Sequence, residues 1–548
     1  MSIPLISFFF ILIGFTRPEP APLPFGDLVS PVLRSLAVDE SSAATDPVGS
    51  GDACIDAAKF YELRGYSPAW VLEGGLTPAG EELLGLFRAS GLQGLEPRAY
   101  FPAEVEALLA DYHRISAADR AQRAREAARL DLALTTSFIR FARHTSVGRV
   151  DPQRFEPEWP AAPQAPGFVE GLVNRLEVDG PGEAVRSVEA RHPIYQRLMR
   201  ALREYRAMYA AGGWEQIPDG PELAPGSKGT RVAMVRKRLQ LNAEGPDSAA
   251  FDANLTAAVK HFQRLNGLKP TGKVDKPTLA ELNVPVEKRI DQIELSLERA
   301  RWLPSDFGAR YILVNIPEAV LRVVERDSVV FSTRAVVGKA GRQTPILVDT
   351  MTSLVLNPSW NLPPVVVDED VLPKLTENTD YLKQKNIKVY QGWGKEAREI
   401  NPDSVRWARW TSRTMPYNLR MEPGPANALG RVKFLFPNDE HIYIHDSPQR
   451  SLYSKEQRLY SSGCVRVERA RDLAAYLLGE SPRWDRERLA EAFAAGEERS
   501  VALRKPIPVY LIYLTAWVGA DGAMHFRPDL YGRDESLAGM LADGAGPS

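Results

Sequence analysis

Around Pro304 the apolar residues of this chain change their period. Upstream, EKRIDQIELSLERARWLP sets Ile290, Ile293, Leu297 and Ala300 on one helical face and stops at the proline. Downstream, RYILVNIPEAVLRVVERDSVVFSTRAVVG alternates apolar with polar residues, with turns at 315–318 and 326–328. A single switch of period, rather than a regular alternation of the two patterns, points to a multidomain α+β chain: helical first, mainly β afterwards. At 548 residues the chain is too long for one core, and three or more domains are expected.

The composition, 44% hydrophobic and 25% charged, excludes general disorder and a multi-span membrane protein. A net charge of −2 with scattered basic residues gives no footprint for nucleic acid. The apolar run over residues 3–15 has the length of a signal-peptide core, so residues 1–22 are expected to export the chain as a signal peptide or N-terminal anchor. A Pro/Ser/Gly-rich linker is expected over 23–51. Residues 52–216 read as a helical domain, with Leu83, Leu84, Leu86 and Phe87 at helical spacing, then Leu130, Leu134, Phe138 and Phe141. Trp70 and Tyr66 in it read as core packing. Residues 222–285 hold three short helices, marked by Val232, Val235 and Leu239, by Leu255, Val259 and Phe262, and by Thr278, Leu279 and Leu282. A connector helix follows over 286–308, then a β-rich domain over 309–535. A charged, unpatterned stretch at 368–421 interrupts that domain and reads as an inserted lid. Residues 536–548 read as a flexible tail.

Only two cysteines are present, Cys54 and Cys464, with no C-x-x-C pair, which argues against a cysteine-built zinc site. A Cys54–Cys464 disulfide would need distant segments to meet and would silence both thiols. Cys54 stands beside Asp52 and Asp56 at a helix start without a nearby histidine and reads as structural. Cys464 is placed differently. It follows a Ser-Ser-Gly turn and opens a short strand, and the strand HIYIHD carries His445 upstream. A thiol becomes a good nucleophile beside an imidazole that takes its proton. Gly463 allows the backbone to aim N–H groups at a developing oxyanion. Ser461 and Ser462 suit a tight turn, and Arg466, two residues on, shares the strand face of Cys464 and is suited to a carboxylate. Asp446 points to the other face from His445, so a backbone carbonyl is the expected partner of the imidazole. His441 reads as a strand histidine without a catalytic role. These residue types alone give thiol–imidazole acyl transfer, with the acceptor open.

IHDSP…SSGCVRV resembles the signature of the L,D-transpeptidases, and the likeness runs upstream through TRAVVGKAGRQTPI, NPSWNLPP and GPANALGRVKFLFPN. Residues 223–283 resemble the three-helix peptidoglycan-binding module, with Gly-x-x-Gly-x-x-Val from Gly226, Leu-Gln at 239–240, Ala-Val-x-x-Phe-Gln from Ala258 and Asn-Gly-Leu from Asn266. The helical region resembles the scaffold domain of the large periplasmic Gram-negative branch, so the resemblance spans about residues 52–535. It implies Cys464 as nucleophile, His445 as general acid/base and Gly463 in a backbone oxyanion hole. It further implies substrate contacts from Arg466, Ser462, Ser461, Trp360, Asn427 and Tyr443, with Gly430 in the same cleft segment as Asn427. Ser462 stands where many smaller members carry a histidine, which leaves His445 alone to activate the thiol. The implied function is 3→3 cross-linking of peptidoglycan through a thioester, in cell-wall biogenesis and cell shape, in the periplasm and without cofactor or metal. Stem peptides, glycan strands and other wall-synthesis enzymes are the implied partners, and carbapenem-type β-lactams the implied covalent inhibitors. An L,D-carboxypeptidase, with water as acceptor, and a non-catalytic peptidoglycan-binding scaffold protein are the alternative readings.

Overall fold

The computed structural model describes residues 23–42, 51–154, 159, 167–241, 249–378, 380–479 and 481–542. They form two compact units. One takes in the described residues up to Arg88 with Arg98–Arg140 and Val169–Ala184; the other takes in Ala89–Pro97, Phe141–Phe168 and the described residues from Val185 onward. The apolar run at 3–15 lies outside the described residues, as does the side chain of Cys54; Cys464 is a free thiol. Among the described residues no helix is long and apolar enough to cross a membrane.

The first unit is helical around Phe60, Tyr61, Trp70, Phe87 and Phe138, and Trp70 meets Phe138 edge-on with 5.3 Å between ring centroids. Asp131 is fully buried here. Its carboxylate accepts the amides of Ala69, Trp70 and Val71 and the Tyr61 hydroxyl, which offsets the cost of removing it from water. The linker expected over 23–51 is in part a helix, Phe25–Ser42. Phe25, Val29, Leu33 and Ala37 recur every fourth residue and are buried, a helical stripe masked by the surrounding Pro and Ser.

In the second unit the three short helices are Thr230–Arg238, Ala253–Leu265 and Lys276–Leu282. Asp252 and Asp275 cap the last two, accepting the amides of Leu255 and Thr278. Gln263 is buried and spends its amide on Thr271, Thr278 and the Lys273 carbonyl, and its oxygen on the Gly272 amide, which fixes the turn between the helices. The connector helix, Val286–Arg301, is more than a spacer. Arg289, Ser296, Glu298, Arg299 and Arg301 are buried along with its apolar face, because Arg299 pairs with Asp534 at 2.5 Å and Glu298 accepts the Val150 amide at 2.9 Å. Asp534 belongs to a helix, Arg533–Ala542, so the tail expected from Ser536 begins inside ordered structure with Leu537 in the core.

The β part is a nine-stranded sheet. In chain order its strands are β1 (Arg310–Asn315), β2 (Val320–Glu325), β3 (Ser328–Gly338), β4 (Leu347–Leu356), β5 (Val432–Leu435), β6 (Ile444–His445), β7 (Leu459–Ser461), β8 (Val465–Val467) and β9 (Arg499–Ile512). The spatial order is β7-β3-β8-β6-β5-β4-β9-β1-β2, and β3 also pairs with β2, so the sheet closes on itself. β9 runs centrally between β4 and β1. Beyond it, Ala516–Val518 and Met524–Phe526 pair as a hairpin whose Ala516 and Phe526 pack with Leu198, Leu202, Ile293 and Leu297. The insertion begins earlier than 368. Trp360–Asn361 already pairs with Tyr417–Met421 in a separate four-stranded sheet, with Leu362, Val366, Val371, Leu375, Val389 and Leu419 as a core of its own.

Candidate active site

Three adjacent short strands build the site. Val432 and Phe434 of β5, Ile444 of β6, and Val465 and Val467 of β8 are buried in the core. The period of two therefore turns Lys433, Tyr443, His445, Cys464 and Arg466 to the opposite face. β6 and β8 run parallel with His445 opposite Arg466, and the Val465 amide donates to the Tyr443 carbonyl at 3.1 Å. β5 and β6 run antiparallel with Lys433 opposite His445. Cys464 thus sits beside Tyr443 and on the same face as His445, one step along the pairing from it.

The turn before the sulfur is fixed from several sides. The Ser461 hydroxyl donates to the Cys464 carbonyl at 2.5 Å, and Ser461 is 2% exposed, so it shapes the turn instead of facing a substrate as the resemblance implied. The Gly463 carbonyl accepts the Thr344 hydroxyl at 2.7 Å. Gly463 has φ +108°, and a Cβ there would stand 3.2 Å from Ile442 Cδ1 and 3.4 Å from the Gln343 carbonyl, so glycine is required. Ser462 is exposed, and its hydroxyl accepts Arg342 Nη1 at 2.8 Å.

His445 is 4% exposed. Its Nδ1 lies 2.5 Å from the Asp446 carbonyl oxygen, which can only accept, so Nδ1 carries the hydrogen and Nε2 is left as a base. Burial, then the charges of Arg466 and Lys433, lower its pKa to about 3, so the imidazole is neutral at ordinary pH. Burial also raises the Cys464 thiol. Tyr443, through its amide and hydroxyl, and the cations Lys433 and Arg466 work in the other direction. The resting site holds a protonated thiol and, on the same face, a neutral imidazole.

Arg466 donates through Nη1 to Gln449 Oε1 at 2.7 Å, while its Nε is buried without a partner, and no carboxylate among the described residues pairs with it. Such an unpaired guanidinium is built for an incoming anion. Trp360 reaches the same face from the insertion, with its buried indole nitrogen directed at the Tyr443 hydroxyl.

Other implied contacts are structural. Asn427 is 1% exposed, donates to the carbonyls of Pro358, Met421 and Glu422 and accepts the Leu429 amide, which leaves no polar atom for a substrate. Gly430 has φ +60° and a Cβ there would meet Asp446 Cγ at 2.5 Å, so Asp446 demands that glycine. His441 is not on the strand: it is exposed in the preceding turn with φ +54°. Two residues escaped the sequence reading. Lys433 was signalled by parity, an isolated cation in VKFL on the face of His445. Arg342 lies in an irregular loop and carries no such signal, yet it bonds Glu369, Asp370 and Ser462 together.

Residues 309–496 match the model of the L,D-transpeptidase catalytic domain, residues 228–282 that of a "Putative peptidoglycan binding domain", and residues 56–202 that of a scaffold domain. A curated Haemophilus influenzae protein described as "Putative L,D-transpeptidase" is 33% identical over 261 residues, 48% of this chain and 50% of that protein. The chain thus spans about half the length of that curated relative. Among solved structures, an L,D-transpeptidase from Stackebrandtia nassauensis is 14% identical with a TM-score of 0.20, over 54% of this chain and 97% of that one. One from Xylanimonas cellulosilytica is 16% identical with a TM-score of 0.17, over 54% of this chain and 100% of that one. With the thiol and imidazole turned to one face of the matched segment, residues 309–496 are similar to an L,D-transpeptidase catalytic domain and follow, in the same chain, segments similar to a scaffold domain and to a domain of peptidoglycan-binding type.

Proposed function

We propose that the chain is a cysteine-dependent transpeptidase that joins peptidoglycan stems through 3→3 cross-links outside the cytoplasm, in the periplasm. Cys464 Sγ attacks the carbonyl of the third, L-configured centre of a tetrapeptide stem as His445 Nε2 takes the thiol proton. The Gly463–Cys464 backbone amides receive the oxyanion. When the amide C–N bond breaks, His445 returns the proton to the departing amine of the terminal D-alanine, and a thioester remains. The side-chain amine of a diamino acid on a second stem then attacks the thioester, the thiolate leaves and is reprotonated, and the new amide is the cross-link. Because the resting imidazole is neutral, proton transfer accompanies attack and no ion pair is formed beforehand. Arg466 and Trp360 hold the donor stem, and the insertion excludes water in favour of an amine acceptor. The three-helix module holds glycan strands near the site.

The observation that carries this reading is the free Nε2 of His445 and the Cys464 thiol on one face, flanked by an arginine without a protein carboxylate. The test is mass spectrometry of the pure chain incubated with a disaccharide-tetrapeptide. Cross-linked dimer is expected. Tripeptide alone would make it a carboxypeptidase, and no turnover would leave only a wall-binding role. In parallel, a carbapenem is expected to add one covalent mass to the wild type at Cys464 and none to Cys464→Ser; addition at Cys54 would overturn the assignment of the nucleophile.

A further inference from the structure

Lys433 has no part in the scheme above, yet it shares the face of His445 and lies over the Tyr443 ring. β5 places it directly opposite His445, and Arg466 flanks the same imidazole from β8, so His445 lies between two cations. The Lys433 ammonium stands 3.8 Å from the centroid of the Tyr443 ring, and Tyr443 is the residue alongside Cys464. Lys433 is half-buried and makes no hydrogen bond or ion pair with any described residue. An ammonium is the most strongly hydrated of the side-chain cations, so a half-buried, unpaired one is costly unless it serves a charge that develops there. A lysine that merely covered an aromatic ring with its stem would carry its head into water. This one keeps its head on the ring face.

The groups around it leave few alternatives. His445 of β6 stands opposite it, Tyr443 just ahead of β6 lies under its ammonium, and Cys464 just ahead of β8 acts on it by charge. Val355 of β4, directly opposite Lys433, carries no charge. Among the described residues the acid that acts on it is Glu498, ahead of β9, one of whose carboxylate oxygens accepts the Ser359 amide.

We infer that Lys433 is a positioning residue for the nucleophile: fixed over Tyr443 and opposite His445, its ammonium stabilises the Cys464 thiolate as the proton leaves and disfavours the imidazolium that receives it. The two effects act at different steps: the charge favours the thiolate as the proton leaves the sulfur, which offsets the weaker base it makes of His445, and the destabilised imidazolium then passes its proton readily to the leaving amine. Arg466 contributes charge as well, but Gln449 holds its guanidinium through Nη1. The inference rests on Cys464 being the nucleophile.

The test reads the thiol without any peptidoglycan. The rate of Cys464 alkylation by iodoacetamide is followed against pH by mapping the Cys464 peptide, in the full chain and in Lys433→Met, Lys433→Gln and Lys433→Arg. Loss of the charge is expected to move the alkylation midpoint upward by about one pH unit, lowering the rate below the midpoint about tenfold. Lys433→Arg is expected to restore the wild-type midpoint, and melting temperatures to stay together. If Lys433→Met fails to fold, Lys433→Gln, which keeps a polar head, gives the same reading. A midpoint unchanged in the neutral variants, or shifted equally in Lys433→Arg, overturns the inference. A shifted midpoint in a chain that forms no cross-linked dimer would sustain this inference and remove the transpeptidase reading.

Discussion

The imidazole of His445 is steered by the backbone carbonyl of its neighbour Asp446, 2.5 Å from Nδ1, while the Asp446 carboxylate turns the other way to the Arg431 amide and the Arg450 guanidinium, each at 2.9 Å. Where a carboxylate orients a catalytic imidazole, its removal costs about 10⁴ in kcat. Here the orienting atom survives substitution. Asp446→Asn is expected to lower turnover on a tetrapeptide donor less than about tenfold, and His445→Gln by about a hundredfold or more. A loss near 10³ in Asp446→Asn would hand the orienting role to the carboxylate.

Gly463→Ala places a side chain at φ +108° against Ile442 and the Gln343 carbonyl, directly before the nucleophile. Strain of this kind costs about 1–3 kcal/mol. The expected result is a melting temperature a few degrees lower and a fall in kcat of at least about tenfold, because the turn that aims the Cys464 amide must shift. Wild-type kcat in this variant would mean that the turn geometry does not matter to the reaction.

Asn427→Ala separates a loop tie from a substrate contact. Three carbonyls and one amide lose their partner inside the protein, which costs about 2–3 kcal/mol of stability. Well below the melting temperature KM is expected to stay within about twofold of wild type. A tenfold rise in KM with unchanged stability would restore Asn427 to the substrate cleft.

The parts of this site that were legible in the sequence are those governed by parity and local turn chemistry. His445, Cys464 and Arg466 share a face because strand side chains alternate, and Gly463 was readable because a tight turn before a nucleophile calls for positive φ. The period switch at Pro304 located the α-to-β boundary for the same reason. What escaped depends on long-range pairing. Nothing local in GPANALG distinguishes an asparagine that binds substrate from one that ties three carbonyls, and nothing in GKAGRQTP announces that Arg342 meets Glu369 and Asp370 of the insertion. The stripe Phe25, Val29, Leu33, Ala37 is periodic but lies among Pro and Ser, whose loop-like composition masks it.

His192 gives the second unit a stability that depends on pH, and the sign follows from its hydrogen bonds. Nε2 lies 2.8 Å from the Ala300 carbonyl and donates to it, while Nδ1 accepts the Tyr195 amide at 3.3 Å, so both nitrogens are satisfied only in the neutral ring. A proton added at Nδ1 would face the Tyr195 N–H. Burial is the main cause that holds its pKa at about 4, against 6.5 for a free imidazole. Between those values the unfolded chain binds a proton that the folded chain refuses, so stability is fully present above pH 6.5 and is lost as the pH falls through 6.5 toward 4. The shift corresponds to a loss of at most about 3 kcal/mol, and His445, lowered to about 3, adds to it with the same sign. His192→Gln removes one of the two titrations. In urea unfolding followed by tryptophan fluorescence, the variant is expected to be less stable than wild type at pH 7 and to lose most of that difference by pH 4. A difference that stays constant from pH 7 to pH 4 would show that His192 is protonated alike in the folded and unfolded chain, and the hydrogen-bond argument would fail with it.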